Sequence, residues 1–149
     1  MTLLQRKQQG FTIVELLIVI VLIIIFGALI VNTFNGIKQA ERNTERRRDI
    51  DEIHRHLEGY NAQNDRYPTL ANINDADFRA ANMMALNPNA LKDPNGDAQT
   101  LEVSSDADDY GYDAIPADCD NTAAGGDCTG YTLTATLEGG GTYPKSNLN

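Results

Sequence analysis

The sequence predicts an α+β fold: a long N-terminal α-helix, with a membrane-length apolar half and an amphipathic half, packed against a small antiparallel β-sheet. Three observations carry that prediction. Of the 21 residues from Phe11 to Val31, all but Thr12, Glu15 and Gly27 are apolar. No proline occurs before Pro68, and Ile50, Ile53, Leu57 and Tyr60 recur at helical spacing, so one helix can continue from Phe11 to about Asn64. Near the C-terminus Tyr131, Leu133, Ala135 and Leu137 alternate with Thr132, Thr134 and Thr136, the period of a half-buried strand.

Composition bounds the function. The chain has 149 residues and a formal charge of -9, which suits one small domain plus an accessory segment. A chain this acidic makes a poor direct partner for nucleic acid, so none is expected. Two cysteines exclude a disulfide-rich scaffold and a four-thiolate zinc site. Outside Phe11–Val31 only about 35% of residues are apolar, enough for a modest soluble core. Catalysis is not expected: Ser104, Ser105 and Ser146 lie in no nucleophile motif, and no Gly-rich phosphate loop sits beside a basic residue.

The first element is the apolar run. As a helix, Phe11–Val31 spans roughly 31 Å, the thickness of a bilayer's hydrocarbon core. It is longer than the apolar region of a cleaved secretory signal, and no small-x-small cut site follows it. Lys and Arg counts alone leave the topology open: Arg6 and Lys7 precede the run, while Lys38, Arg42, Arg46, Arg47 and Arg48 follow it. Glu15 is the anomaly. A carboxylate within a membrane run costs on the order of 2.5–3.5 kcal/mol by insertion scales. It is either an interfacial group favoured by the helix N-terminal dipole or a functional one.

Arg6-Lys7-Gln8-Gln9-Gly10-Phe11-Thr12-Ile13-Val14-Glu15 resembles the start of the type IV pilins and type II secretion pseudopilins. In that family a polar, basic leader ends in Gly, followed by Phe, an intramembrane Glu and an unbroken apolar run. The resemblance implies cleavage between Gly10 and Phe11 by a prepilin peptidase, which also methylates Phe11. It makes Glu15 the fifth residue of the mature chain, where it meets the new α-amino group of a neighbouring subunit. It further implies a helical homopolymer, an inner-membrane assembly platform with its ATPase, and membrane residence before assembly. The head then lies outside the cytoplasm, against the simple charge count. The expected segments are a leader over 1–10, a membrane and filament-core helix over 11–31, a stem over 32–66 and a head over 67–149. A helix-breaking proline found in many relatives is missing, so any unwinding in a filament is expected at Gly27, Asn32, Asn35 or Gly36.

Within the stem, residues 38–49 have almost no apolar face. One reading is a solvated helix with pairs such as Glu45–Arg48 and Arg47–Asp51. The other uses the charge distribution. Residues 32–66 hold 7 basic and 7 acidic side chains, whereas residues 67–149 hold 3 basic and 13 acidic ones. On that reading Arg46, Arg47 and Arg48 meet acidic loops of a neighbouring head. His54 and His56 point about 200° apart on the helix and do not share a ligand.

In the head, Leu57-Glu58-Gly59-Tyr60 and Tyr67-Pro68-Thr69 extend the resemblance to about residue 69, and with it the expected pilin fold. A short helix is expected over Asn74–Leu86, capped by Asn74 or Asp75. Strands are expected over Gln99–Val103, Tyr110–Ile115 and Tyr131–Glu138, followed by a mobile Gly-rich tail. With the head outside the cell, Cys119 and Cys128 are expected to form a disulfide; two free thiols or half a zinc site are the alternatives. No cofactor is required. Calcium is the one to test, because Asp106, Asp108, Asp109 and Asp113 begin a carboxylate-rich stretch that runs on through Asp118, Asp120 and Asp127. Asp93, Asn95 and Asp97 fit the start of an EF-hand loop, but Ala98 and Ser104 break its pattern.

Three functions follow from these features. The first is the subunit of a type IV pilus serving adhesion, twitching or DNA uptake, towards which the short cysteine-bounded segment leans. The second is a pseudopilin of a type II secretion system. The third is a monomeric, membrane-anchored binding domain, which would need neither Glu15 nor a cut at Gly10.

Overall fold

A computed structural model of the chain describes residues 10–121 and 128–148, and the side chains of these residues except 29–33. The chain divides into two compact units, Met1–Lys38 and Gln39–Asn149. Helix α1, Ile13–Asn64, contributes to both and runs unbroken through Gly27, Asn32, Asn35 and Gly36.

In the first unit α1 begins where a cap is available. The Thr12 hydroxyl accepts from the Glu15 N–H at 3.2 Å, satisfying one of the free donors of the first turn. Every described apolar side chain beyond it is exposed, from Phe11 at 80% to Phe26 at 60%. Among the described residues no helix is long and apolar enough to cross a membrane. The described side chains of the apolar run end at Ala28, and Leu29–Val31 and leader residues 1–9 lie outside them.

The second unit is built on the C-terminal part of α1. Ile50, Ile53, Leu57 and Tyr60 are all buried, as their spacing requires. The helix ends at Asn64, where the Asp65 N–H still bonds the Asn61 carbonyl at 2.8 Å and Asp65 turns to φ 55°. Asp and Asn tolerate this left-handed region better than most residues, which makes Asn64-Asp65 an effective stop. The chain then forms α2 (Leu70–Asn74), α3 (Ala76–Asn82) and a 3-10 turn over Pro88–Leu91. Thr69 caps α2 through a reciprocal capping box with Asn72, and Asp75 caps α3 by accepting from the Asp77 and Phe78 N–H groups. The helix expected over Asn74–Leu86 is α3, shorter than expected and closing at Asn82, with Asp75 as its cap as expected; α2 precedes it.

The sheet has three antiparallel strands, β1 (Gly111–Ile115), β2 (Gly130–Thr136) and β3 (Thr142–Ser146), in the order β1-β2-β3. Tyr112 pairs with Leu133 and Leu133 with Lys145. Tyr131, Leu133 and Ala135 point into the core while Thr132 is exposed, the alternation read from the sequence. Gln99–Val103 is not a strand: only Glu102 makes an isolated bridge, its N–H to the Tyr110 carbonyl and its carbonyl to the Tyr112 N–H. The tail is not loose either. Gly139, Gly140 and Gly141 all take positive φ, closing a reverse turn in which Leu137 N–H reaches the Gly141 carbonyl at 3.0 Å, and β3 follows. Its Pro144 and Lys145 lie on a sheet-edge strand, where both residue types discourage strand addition.

Candidate functional site

Two places carry the chain's unusual chemistry: the start of α1 and the seam between stem and head. At the first, Gly10 and Phe11 precede the helix in non-helical backbone, so the Gly10–Phe11 bond is not locked into helical hydrogen bonding. Glu15 lies in the first turn of α1, where the helix dipole favours a carboxylate. Its neighbours Val14, Leu16 and Leu17 are between 57% and 67% exposed, so a charge sits at the head of an uncovered apolar surface.

At the seam the decisive residue is Arg46, which is fully buried. Its Nε and Nη2 form a bidentate pair with Asp93 at 2.6 and 2.8 Å, and Nη2 also donates to the Ala107 carbonyl at 3.0 Å. Its Nη1 reaches Asn43 Oδ1 and Glu138 Oε1, each at 3.3 Å. Glu138 is clamped by Arg42 through a second fork, with Nη2 at 2.6 Å from Oε2. The Asn43 side chain bonds both the N–H and the carbonyl of Glu138, at 2.9 and 3.0 Å. The hydrogen bond from Arg42 therefore holds the Glu138 carboxyl down at about 2. One buried guanidinium joins the stem to the turn at Asp93 and the reverse turn at Glu138. Gly96 is needed there, because a Cβ would fall 2.1 Å from the Asp108 carbonyl oxygen.

Arg46 therefore cannot serve the inter-subunit role expected of the Arg46–Arg48 run; it is spent inside its own head. Arg47 and Arg48 remain exposed. Nor does Arg47 pair with Asp51: its guanidinium lies over the Tyr143 ring, 5.4 Å from the centroid, and Asp51 meets Lys145 Nζ and the Tyr143 hydroxyl, both at 3.0 Å. The Glu45–Arg48 pair is likewise not formed.

Tyrosines complete the seam. Tyr110 donates to Asp49 at 2.8 Å, and Tyr131 and Tyr67 donate to the two oxygens of Glu58 at 2.9 and 3.1 Å. Since the Tyr131 proton goes to Glu58, the hydroxyl oxygen accepts from His54, whose Nδ1 therefore carries a proton. His54 is thus a structural partner of Tyr131 and not half of a metal pair. Tyr67 and Tyr112 lie against the Tyr131 ring, at centroid distances of 4.8 and 5.8 Å. Burial and the Glu58 carboxylate push the Tyr67 hydroxyl up to about 12, so it remains a donor throughout the physiological range.

Burial pushes the Asp49 carboxyl up to about 7, with Glu45, Glu52 and Asp93 adding to the rise and the Tyr110 hydrogen bond opposing it. Because the folded value lies above the unfolded 3.8, the folded state holds this proton more tightly. The stability it contributes is complete below that unfolded value and declines as pH rises towards about 7. Asp49→Asn keeps an acceptor for Tyr110, so it is expected to flatten the fall in melting temperature between pH 4 and 8. An unaltered slope in the full chain in detergent would remove Asp49 as its source.

Cys119 and Cys128 form a disulfide. The Cys128 carbonyl accepts from the Tyr67 N–H at 2.9 Å, which ties the bridge to the segment just after α1. Residues 122–127 of the enclosed loop, Asp127 among them, lie outside the described residues. Closing ten residues contributes about 2.5–3 kcal/mol by chain entropy, so Cys119→Ser with Cys128→Ser should lower unfolding stability by that amount in denaturant titrations.

The carboxylates named for calcium include Asp106, Asp108, Asp109 and Asp113. Among the described residues no three acidic, His or Cys groups converge on one point. Asp106 Oδ1 is already engaged by the N–H groups of Asp108 and Asp109, and Asp93 by Arg46. Asp113 stands apart on β1.

Residues 5–31 match the family model of the prokaryotic N-terminal methylation motif. The chain is also 33% identical over 66 residues to the type II secretion system core protein G of Dickeya chrysanthemi, and 35% identical over 72 residues to that of Aeromonas hydrophila. These matches support the resemblance to the type IV pilins and pseudopilins. The two alignments take in 44% and 48% of this chain and 43% and 50% of those relatives, so the chain spans about half the length of the curated relatives it matches. No solved structure matches it. Its helix and three-stranded sheet form a pilin-type α+β fold.

Sequence reasoning missed the Arg46 lock and the Glu138 clamp. A signal for the first was present: Arg46 lies four residues before Ile50, on the same buried stripe as Ile53 and Leu57.

Proposed function

We propose that this chain is a structural subunit of a helical filament, cut between Gly10 and Phe11, methylated at Phe11 and assembled through the N-terminal part of α1. The observation that carries this reading is a wholly exposed apolar helix surface with one carboxylate, Glu15, in its first turn. Such a surface needs lipid or other copies of itself around it. Cleavage would create an α-amino cation beside it, and a carboxylate from a neighbouring subunit neutralises that cation in the low-dielectric core. Before assembly the subunit resides in the cytoplasmic membrane with its head outside. Its partners are then a prepilin peptidase, an assembly platform with its ATPase, and further copies of itself.

The relatives named as secretion-system core proteins support a secretion pseudopilus as the filament. The disulfide-closed segment near the C-terminus supports a second reading, a surface pilus, since many pilins carry such a loop. Mass spectrometry of N-terminal peptides, in sheared surface material and in membranes of the native cell, tests both. A peptide starting at methylated Phe11 and confined to membranes, with loss of secreted proteins on deletion, fits the pseudopilus. The same peptide abundant in sheared material fits the pilus. An uncut chain starting at Met1 would overturn the filament reading and leave an anchored domain.

A further inference from the structure

The exposed arginines and several acids of the stem helix fall in two adjoining sectors. At 100° per residue, Arg47 falls on one side of the buried Ile50–Leu57 stripe and Arg48 and Arg55 fall opposite the stripe, whereas Glu45, Asp49 and Glu52 fall on its other side. Neighbouring elements extend each sign. On the first flank β3 adds Lys145, and Arg47 is set over Tyr143. A shallow groove lined by Arg48, Asp51, His54, Arg55 and Lys145 runs there, with Glu52 at its edge towards the acidic side. Asp51 is matched by Lys145, and Glu52 accepts from the Asn87 N–H at 3.0 Å. Among the described residues Arg48 and Arg55 have no carboxylate within 4 Å.

The other flank is the reverse. Tyr110, bonded to Asp49, brings up the turn that carries Asp106, Asp108 and Asp109, with Glu102 beside it. Asp106 holds this turn rigid by accepting from the Asp108 and Asp109 N–H groups at 2.8 and 3.1 Å. None of these four acids has a cation within 4 Å among the described residues. Desolvation, together with the charges of Asp106, Glu102 and Asp108, raises the Asp109 carboxyl above the usual range. The turn is thus acidic, ordered and without a counter-charge of its own.

We propose that the flank carrying Arg47, Arg48, Arg55 and Lys145 docks the Asp106–Asp109 turn of a second copy of this chain. In this contact one patch meets a different patch of the next copy, head to tail, so that it repeats from copy to copy as an open helical assembly requires. This rests on the filament reading above and specifies which head surfaces meet within it.

The test uses the full chain produced in the native cell. Arg48→Cys and Asp108→Cys are introduced together at two exposed positions, and sheared or detergent-extracted filaments are treated with a short bismaleimide. A ladder of dimers, trimers and higher species, missing from either single variant, is expected. In a second arm, Arg48→Glu with Arg55→Glu should lower filament yield at least ~10-fold, with Asp106→Lys plus Asp108→Lys in the same chain restoring it, because like charges oppose a contact as strongly as matched ones favour it. Filaments in normal yield without a ladder would overturn the contact and leave the filament reading standing. An unaltered chain that never leaves the monomeric state would overturn both.

Discussion

Replacing Arg46 with alanine is expected to destabilise the head by about 3–5 kcal/mol, because it leaves the buried Asp93 carboxylate without its counter-charge. The loss has a specific anatomy. Arg46 is the common donor to Asp93, the Ala107 carbonyl and Glu138, so its removal frees the turns at Asp93 and Ala107 from the stem, while Arg42 and Asn43 still hold Glu138. Arg46→Lys should rescue little: a single ammonium cannot reproduce the two parallel bonds to Asp93 together with those to Ala107 and Asn43. The informative variant is Arg46→Met with Asp93→Leu. Removing both charges avoids an unpaired one, and buried pairs are often replaceable by apolar residues at little cost. Denaturant titration of the full chain in detergent should therefore place the double variant well above Arg46→Ala. A double variant as unstable as the single one would mean that hydrogen bonds to the turns, not the paired charges, hold the seam.

Glu15→Ala has the second large effect, and it falls on assembly alone. Processed, membrane-resident subunit should accumulate to its usual level while filaments become undetectable. The reason is the same electrostatic asymmetry in another setting. If the new α-amino group enters the filament core unpaired, the cost is again roughly 3–5 kcal/mol for each subunit. A filament multiplies that cost along its length, whereas a monomer at the membrane surface keeps its amine in water. Glu15→Gln separates charge from shape, since it preserves the side-chain volume and removes only the counter-ion. Normal filament yield from either variant would refute the pairing of Glu15 with a neighbour's amine.

The two variants also divide the molecule by how legible it was. Glu15 stands out because a carboxylate in an apolar run is costly wherever the run is placed, so sequence alone marks it. The stem face Ile50, Ile53, Leu57 and Tyr60 and the β2 alternation were equally readable, because burial of those residues depends only on helix and strand periodicity. Arg46 was hidden by its chemistry. An arginine within Glu45–Asp49 reads as part of a solvated, charge-rich helix, and its partners Asp93 and Glu138 lie 47 and 92 residues away. The β3 strand was hidden for a related reason. Gly139-Gly140-Gly141 suggests mobility, yet three positive φ angles are what a tight return to β2 demands. Gln99–Val103 erred the other way, since its residues are apolar enough for a strand but only Glu102 finds a partner backbone.

One arrangement in the seam has a mechanical consequence. Arg42, Asn43, Arg46, Asp49, Asp51, His54 and Glu58 all sit on the same helix as the apolar N-terminal run, and each reaches into the head. A pull along the axis of α1 therefore stretches these attachments side by side, not one after another. Bonds in parallel share the tension and must fail nearly together, so the head resists being slid along its helix far better than any one of its ion pairs would suggest.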